Sequence, residues 1–297
     1  MYKDILSQSS SRVQAPAKLN IRLKVTGKRP DGYHELVSIM VPVTLFDHLE
    51  LTVTHQPQIT LTCQGLFPVP ANKANLAYRA AAAFFSLTNI RPCLSIRLDK
   101  NIPVAAGLGG GSSDAASTLM ALNRMWSTPL TYQQLAELAV GLGADVPFFL
   151  KSRPCIATGV GEILEPIVNW PQLQYIIITP DVHVSTSWVY ENVKIGLTDN
   201  EYERIINILE KGSTDLTKIL ENDLEAVTSS HFPVIHTIKK SLMDAGAEGV
   251  LMSGSGPSVF GIFKSKDTFL TAKRQLSTQN LGHVFEAENL RQPAYLR

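Results

Sequence analysis

The sequence predicts an α+β protein built from two domains. Its 297 residues are about twice the length of a typical single domain. Alternating apolar and polar residues predict a half-buried strand at Ala17–Val25, and further strand patterns follow at 36–45 and 49–54. The last part of the chain, from about residue 174, gives strand and helix patterns in the order β-α-β-β-α-β with extra helices inserted, which is typical of ferredoxin-like folds.

Helical patterns separate these strands. An alanine-rich stretch at 75–87 has a candidate N-cap at Asn72 or Asn75. Thr131 and Gln134 have capping-box spacing at the start of another helix. Further helices are predicted at 187–194, 200–211, 215–229, 233–245 and 267–276.

The stretch around Trp170 and Pro171 has the composition of a linker between domains. We therefore expect one domain over residues 1–168 and a second over residues 169–297.

Composition narrows the class of function. Lys and Arg number 27 against 26 Asp and Glu, so the net charge of +1 provides no overall field for nucleic acid or an anionic membrane, and we expect neither as a partner. The three cysteines lack CxxC spacing, which disfavours a disulfide framework and a zinc knuckle. With no apolar run like a signal peptide at the N-terminal end, a cytoplasmic location is expected.

A glycine-rich loop at 103–113 lies between a predicted strand and a predicted helix. Its four glycines let the backbone approach a ligand closely, and the N–H groups at the start of the helix would favour a phosphate. The loop is neither a Walker A motif nor G-x-G-x-x-G, because Ser112 stands where the third glycine would be. A flexible glycine turn remains the alternative. Asp114 would repel a phosphate unless a metal or a lysine lay between them.

Asp145 is a candidate proton acceptor. It follows a predicted helix end, and Pro147 is expected to push Val146 toward extended geometry. Next to Phe148 and Phe149 the carboxylate would be partly desolvated and therefore a better base. The alternative is a helix-end aspartate that bonds nearby backbone N–H groups.

Three other short segments carry polar groups that could bind a ligand. Lys18 and Asn20 share one face of the first strand, where they either point into one site or form a solvated face. Tyr33 and His34 follow a turn and could stack on and hydrogen-bond a planar base, or be ordinary loop residues. The turn at 253–258 offers backbone donors to an anion, or is a tight hairpin.

Together, five motifs resemble the GHMP kinase superfamily, in the family's order: PAKLN (16–20), DGYHE (31–35), PVAAGLGGGSSDAA (103–116), LGADVPFF (142–149) and GSGPSVF (254–260). PAKLN, DGYHE and GADVPFF narrow the resemblance to the members that phosphorylate the 2-hydroxyl of a cytidine diphosphate conjugate of methylerythritol in the non-mevalonate isoprenoid pathway. The resemblance implies a ribosomal S5 domain 2-like N-terminal domain and a ferredoxin-like C-terminal domain, with ATP and the substrate in the cleft between them.

The resemblance also implies a role for individual residues. Lys18 and Asp145 match the catalytic pair, in which the aspartate accepts the proton of the attacking hydroxyl. The implied ATP-binding residues are Pro103, Gly107, Leu108, Gly109, Gly110, Gly111, Ser112 and Ser113 for the phosphates, with Asn75, Leu76 and Lys100 for adenine. The implied substrate-binding residues are Asn20, Tyr33, His34, Thr186, Tyr190, Gly254, Ser255 and Gly256. Mg²⁺ is expected with ATP, without an assigned protein ligand.

Two further expectations concern the cytosine site and the phosphate loop. Tyr33 and Tyr190 would sandwich the cytosine while His34 hydrogen-bonds its edge. Replacing Gly110 by Val would weaken ATP binding by steric exclusion and leave the fold largely intact.

Two other functions stay open from the sequence. A homoserine or mevalonate type of GHMP kinase would keep the glycine loop but have no use for a cytosine clamp. An RNA-binding S5-like module is disfavoured by the net charge of +1.

Overall fold

The computed structural model of the protein describes residues 9–196, 200–210 and 218–291. The strands are β1 (Ser10–Lys28), β2 (His34–Val53), β3 (Ile59–Gly65), β4 (Leu94–Lys100), β5 (Cys155–Thr158), β6 (Ile163–Pro166), β7 (Gln174–Thr179), β8 (Glu221–Asn222), β9 (Gly249–Met252), β10 (Val259–Phe263) and β11 (His283–Glu288). The helices are α1 (Leu76–Thr88), α2 (Gly110–Met125), α3 (Tyr132–Leu142), α4 (Val146–Lys151), α5 (Thr186–Asn192), α6 (Glu201–Glu210), α7 (Glu225–His231), α8 (Val234–Asp244) and α9 (Lys266–Ser277).

The first sheet is built around a long antiparallel hairpin of β1 and β2. Its strand order is β3-β4-β2-β1-β8, with β5 paired to β2 and β6 to β5. The sequence predicts two strands at 36–45 and 49–54, but β2 runs unbroken through both. Asp47 does not mark a turn, because its buried carboxylate binds Lys100 and the backbone N–H groups of Asn101 and Ile102.

The second sheet confirms the ferredoxin-like prediction. Its order is β11-β7-β10-β9, and every neighbouring pair is antiparallel. Numbered within this domain alone, the strands lie in the order 4-1-3-2 that the β-α-β-β-α-β pattern requires. The helix expected at 215–229 is different: its first residues lie outside the described part of the chain, Glu221 and Asn222 pair with β1, and α7 begins only at Glu225.

The sheets and helices are stacked in four layers with apolar cores between them. Helices α1 to α4 cover one face of the first sheet, and the second sheet covers its other face. Helices α5, α8 and α9 pack on the far side of the second sheet. Strand β7 is buried on both faces, because Tyr175 and Ile177 enter the core between the sheets while Ile176 and Ile178 enter the outer core. In the described ranges, no helix is long and apolar enough to cross a membrane.

The change from one sheet to the next occurs between β6 and β7. Pro166 ends the last N-terminal strand, and Gln174 begins the first strand of the second sheet. Because β8 returns to pair with β1, chain segments from both halves build the first sheet. The division at residue 168 therefore stays a prediction.

Local capping signals behave as the sequence indicates at two helices. Asn75 accepts a hydrogen bond from the N–H of Ala77 and caps α1, and Thr131 and Gln134 form the complete capping box of α3. The expectation at Pro147 is wrong. Val146 begins α4 instead of an extended segment, because proline near the first helical position fits a helix without losing a needed donor.

Candidate active site

A cavity of about 790 Å³ opens between the glycine loop, the β1–β2 hairpin, the start of α5 and the turn before β10. It brings together most of the residues that the sequence singles out: Lys18, Asn20, Tyr33, His34, Asn75, Leu76, Lys100, Pro103, Gly107, Gly109, Gly110, Gly111, Ser112, Asp145, Thr186, Tyr190, Gly254 and Ser255. Residues that are 236 positions apart in the sequence, Lys18 and Gly254 for example, therefore line one space.

Three of the expected binding residues do not line this cavity. The side chain of Leu108 lies in the core between the sheets, and its carbonyl accepts the N–H of Lys18 at 3.0 Å. Ser113 is fully buried. Gly256 packs against Met252, and its N–H donates to the carbonyl of Ser253. These three residues support the walls of the cavity rather than contacting its contents.

The glycine loop ends in the first turn of α2. Gly109 occupies the N-cap position with a φ of 70° and offers no capping side chain. The first N–H groups of an α-helix have no acceptor within the helix, and Gly110, Gly111 and Ser112 lie at the cavity wall. This end of α2 therefore presents backbone donors and the positive end of a helix dipole to the cavity.

The glycines of the loop serve different purposes. A Cβ at Gly107 would lie 2.0 Å from the carbonyl oxygen of Ser253, so this glycine lets two loops touch. A Cβ at Gly110 would lie 2.6 Å from Lys100 Nζ and 2.9 Å from Ile102 Cγ2, both in the protein interior. A Val side chain at Gly110 would therefore strain the packing around Lys100 and Ile102, and the expectation that the fold stays largely intact remains a prediction. At Gly111 a Cβ would make only an ordinary contact of 3.4 Å with Leu76.

Lys18 and Asp145 face each other across the cavity floor. Lys18 Nζ lies 3.8 Å from Asp145 Oδ2, with the lysine side chain 4% exposed and the aspartate side chain 39% exposed. Asp145 is thus partly buried, which is compatible with the partial desolvation that the sequence suggests. Burial lowers the pKa of Lys18, although the charge of Asp145 opposes this effect. The pair combines a buried cation with an accessible carboxylate.

The position of Asp145 decides between the two interpretations of its sequence. It occupies the N-cap position of α4 but makes no side-chain capping bond. Its carboxylate lines the cavity beside Ala144. The interpretation as a helix-end aspartate that bonds the backbone is therefore wrong.

A chain of hydrogen bonds holds Lys18 in place, and it shows that the polar side of β1 is buried rather than solvated. Lys18 Nζ donates to Asn20 Oδ1, and Asn20 Nδ2 donates to Ser38 Oγ at 2.8 Å. Ser38 donates in turn to the carbonyl of Arg22 at 2.6 Å. Ser38 is invisible to sequence reasoning, because a serine inside an apolar strand pattern resembles a neutral interruption.

Two aromatic rings meet at the other end of the cavity. The rings of His34 and Tyr190 have centroids 5.3 Å apart and planes tilted by 32°. Tyr33 is 61% exposed, and in the described part of the chain its ring contacts no other ring. Burial and the charge of Lys28 lower the pKa of His34, so its imidazole is neutral at pH 7. The cytosine sandwich of Tyr33 and Tyr190 is not preformed and stays a prediction.

The turn before β10 joins the glycine loop to the substrate end. Ser253 Oγ donates to the carbonyl of Gly107 at 2.9 Å and accepts the N–H of Asn20 at 3.1 Å. Ser255 Oγ lies 2.8 Å from the hydroxyl of Thr186 at the start of α5. This turn includes a cis peptide bond before Pro257. It is thus a brace between the two halves of the chain and not merely a hairpin.

Beneath the start of α2, Lys100 is held by two carboxylates. Its Nζ binds Asp47 and lies 3.2 Å from Asp114 Oδ2, and the lysine side chain is 4% exposed. Lys100 lines the cavity as the sequence suggests, but its charge is engaged by these aspartates. The sequence does not indicate Asp47 as a site residue, because it lies between two strand patterns that are far from Lys100 in the chain.

No dedicated metal site accompanies these residues. Within residues 9–196, 200–210 and 218–291, no group of three His, Cys, Asp or Glu side chains is arranged to hold a metal ion.

Comparison with known proteins agrees with this geometry. Residues 75–153 match the family described as GHMP kinases N terminal domain, and residues 203–281 match GHMP kinases C terminal. The chain is 45% identical to a protein of Syntrophotalea carbinolica named 4-diphosphocytidyl-2-C-methyl-D-erythritol kinase, over 92% of this chain and 97% of that protein. A protein of the same name from Citrifermentans bemidjiense is 44% identical over 89% of this chain and 93% of its own.

Solved structures give the same family. A crystal structure of 4-(cytidine 5'-diphospho)-2C-methyl-D-erythritol kinase superposes with a TM-score of 0.78 at 35% identity, covering 94% of this chain and 98% of the other. A homoserine kinase from Cytophaga hutchinsonii has a TM-score of 0.76 over 97% of both chains, but at 19% identity it shares only the fold. The chain belongs to the GHMP kinases and, within them, to the family of the 4-diphosphocytidyl-2-C-methyl-D-erythritol kinases.

Proposed function

We propose that this protein transfers the γ-phosphoryl group of ATP to the 2-hydroxyl of 4-diphosphocytidyl-2-C-methyl-D-erythritol. The observation that carries the proposal is the position of Asp145. Its carboxylate makes no capping bond to α4 and lies in the cavity, 3.8 Å from buried Lys18. The glycine loop and the His34–Tyr190 pair line the same cavity. A base, a phosphate loop and an aromatic subsite are the parts that such a transfer needs.

Catalysis by this arrangement rests on positioning and charge. The backbone N–H groups at the start of α2 would hold the triphosphate against the dipole of the helix. Asp145 would accept the proton of the attacking hydroxyl as its oxygen bonds to phosphorus and the bond to the ADP oxygen breaks. Lys18 would stabilise the negative charge on the oxygens of the phosphoryl group during its transfer. The hydrogen bonds from Lys18 through Asn20 to Ser38 fix this cation before the substrate arrives.

Mg²⁺ is part of the proposal as the partner of ATP. It would neutralise charge on the β- and γ-phosphates. The described residues provide no cluster that holds it without the nucleotide, so no protein ligand is assigned.

Substrate choice would depend on the aromatic end of the cavity. A neutral imidazole can both donate and accept a hydrogen bond, which suits the edge of a cytosine ring. His34 is neutral at pH 7 because burial and Lys28 lower its pKa. Tyr190 adds an apolar face beside it, and Thr186 and Ser255 add hydroxyls between this end and Asp145.

A coupled assay of ADP release tests the proposal. The purified protein receives ATP, Mg²⁺ and one of four acceptors: the cytidine diphosphate conjugate, methylerythritol 4-phosphate, homoserine or mevalonate. We expect kcat/KM for the conjugate to exceed that for the others by at least about 100-fold, because unmet polar groups in the cytosine subsite penalise the wrong acceptor. Comparable turnover of homoserine or mevalonate would contradict the proposed substrate.

A further inference from the structure

In the buried cluster of Asp47, Lys100 and Asp114, the two carboxylates accept different numbers of hydrogen bonds. Asp47 Oδ2 binds Lys100, and its Oδ1 accepts the N–H groups of Asn101 and Ile102 at 2.6 and 2.8 Å. Asp114 Oδ2 lies 3.2 Å from Lys100 Nζ. Its Oδ1 is buried without a hydrogen-bond partner in the described structure. One cation therefore serves two carboxylates, of which only one is fully hydrogen-bonded.

This inequality determines which carboxylate holds a proton. Two carboxylates that share one site cannot both ionise easily, and the one that accepts more N–H groups is stabilised as the anion. Of the two carboxylates, Asp114 is therefore the one that holds the proton. Burial raises the pKa of Asp114 to about 8. The positive charge of Lys100 opposes this effect, and the negative charge of Asp47 adds to it. Burial alone would lower the pKa of Lys100, but Asp114 and Asp47 raise it, so the lysine stays charged.

The cluster lies directly beneath the proposed phosphate site. A Cβ at Gly110, the first residue of α2, would be 2.6 Å from Lys100 Nζ, and both Lys100 and Asp114 line the cavity. With Asp114 protonated, the cluster has no net charge. With Asp114 ionised, it has a net charge of −1 in a buried position where the electrostatic effect on a triphosphate is strong.

We propose that Asp114 is a positioning residue for ATP, whose protonated carboxyl keeps the cluster beneath the phosphate loop electrically neutral. This inference rests on the proposed function, since it requires ATP phosphates at the start of α2. The inference also gives a role to Asp114, which would repel the phosphates if it were ionised. Lys100 lies beside Asp114, but Asp47 already neutralises the charge of this lysine.

The other titratable groups near Asp114 behave differently over the same pH range. Burial and the charge of Asp114 raise the pKa of Cys63 on β3 above its ordinary value of 9.0, so the thiol mostly keeps its proton up to pH 9. Burial lowers the pKa of Lys18, which lies beside Gly109 of the loop. Its titration would weaken ATP binding equally in any Asp114 variant, so a comparison between variants isolates Asp114.

Calorimetric titration of the full-length protein with ATP at pH 7 and pH 9 tests the inference. For the wild type we expect Kd to rise by up to about tenfold, because the protonated fraction of a group with a pKa of about 8 falls from roughly nine-tenths to one-tenth. Asp114→Asn removes the charge at every pH, so its rise in Kd should be at least about threefold smaller. Asp244→Asn, an exposed carboxylate distant from the cluster, is the matched control and should follow the wild type.

A second variant, Asp47→Asn, should also lose the pH dependence of ATP binding, although it removes the charge of the other carboxylate. Asp47→Asn leaves Lys100 to Asp114 alone, so an ionised Asp114 balances the lysine and we expect the charge of the cluster to stay the same between pH 7 and pH 9. A purely structural role for the cluster would not remove the pH dependence in both variants. A wild-type Kd that is the same at both pH values, or variants that keep the full rise, would overturn the inference. Failure of the wild type to bind ATP at pH 7 would instead overturn the proposed function, and the inference with it.

Discussion

Substitution of Gly110 by Ala should destabilise the protein, whereas the same change at Gly111 should not. At Gly110 the new Cβ would lie 2.6 Å from Lys100 Nζ, 2.9 Å from Ile102 Cγ2 and 3.1 Å from its Cβ. The ammonium cannot simply move away, because Asp47 and Asp114 hold it in a buried position. Overpacking of this kind costs about 1–3 kcal/mol of the free energy of unfolding.

Gly111 is a matched control one residue further along α2. Its added Cβ would meet Leu76 Cδ1 at 3.4 Å, an ordinary contact, and alanine is favoured over glycine in a helix by about 0.5–1 kcal/mol. Urea denaturation of both variants gives the two free energies, and calorimetry with ATP shows whether each folded variant still binds. Equal stability of the two variants would refute the packing argument. A stable Gly110→Ala protein without ATP binding would show that this position faces the phosphates after all.

Three other outcomes are expected. His34→Ala should raise KM for the cytidine substrate by about tenfold or more and leave KM for ATP nearly unchanged; an equal rise in both constants in steady-state kinetics would indicate a general folding defect instead. Lys28→Ala should raise the pKa of His34 toward its ordinary value, because a neighbouring positive charge is lost. The acidic limb of the pH profile of kcat/KM for the cytidine substrate should therefore move to higher pH. A profile identical to that of the wild type would exclude this electrostatic effect. Arg22→Met should cost about 3–5 kcal/mol of the free energy of unfolding in urea, since Glu201, buried at 2% exposure, would lose its near partner and be left with the exposed Arg204 at 3.7 Å. A loss below about 1 kcal/mol would contradict this.

The lowered pKa of His34 also determines the sign of its effect on stability. The unfolded chain binds a proton more readily than the folded one, so the contribution of His34 falls as the pH decreases below the ordinary value of 6.5. Removal of Lys28 should therefore reduce this acid sensitivity.

Most of the fold could be predicted because its signals are local. The capping box at Thr131 and the cap at Asn75 need only neighbouring residues, and the order of strands and helices after residue 174 needs only periodicity. Errors arose where a distant residue satisfies a local irregularity. Asp47 carries no sequence sign of the buried Lys100 that it binds, and the pairing of Glu221 with Arg22 within the first sheet has no sequence signal.

The site could be predicted largely through its motifs rather than through physical patterns. Lys18 and Asn20 resemble a solvated strand face, and only the structure shows both to be 4% exposed. Asp145 has a partly exposed carboxylate beside Lys18, and its own sequence window gives no sign of that lysine. The catalytic and binding roles of these residues, Mg²⁺, the cytoplasmic location and the absence of nucleic-acid and membrane partners stay predictions.

The most direct test of the proposed transfer is kcat of Asp145→Asn, measured with thermal stability on the same preparation. We expect kcat to fall by about 10² to 10⁴, because asparagine keeps the size of the side chain but removes the base. Lys18→Met should also lower kcat, and the double variant should lose much less than the product of the single losses, because both groups act on one proton transfer. A stable Asp145→Asn protein that turns over the cytidine substrate within about threefold of the wild-type rate would contradict the role of Asp145 as the base.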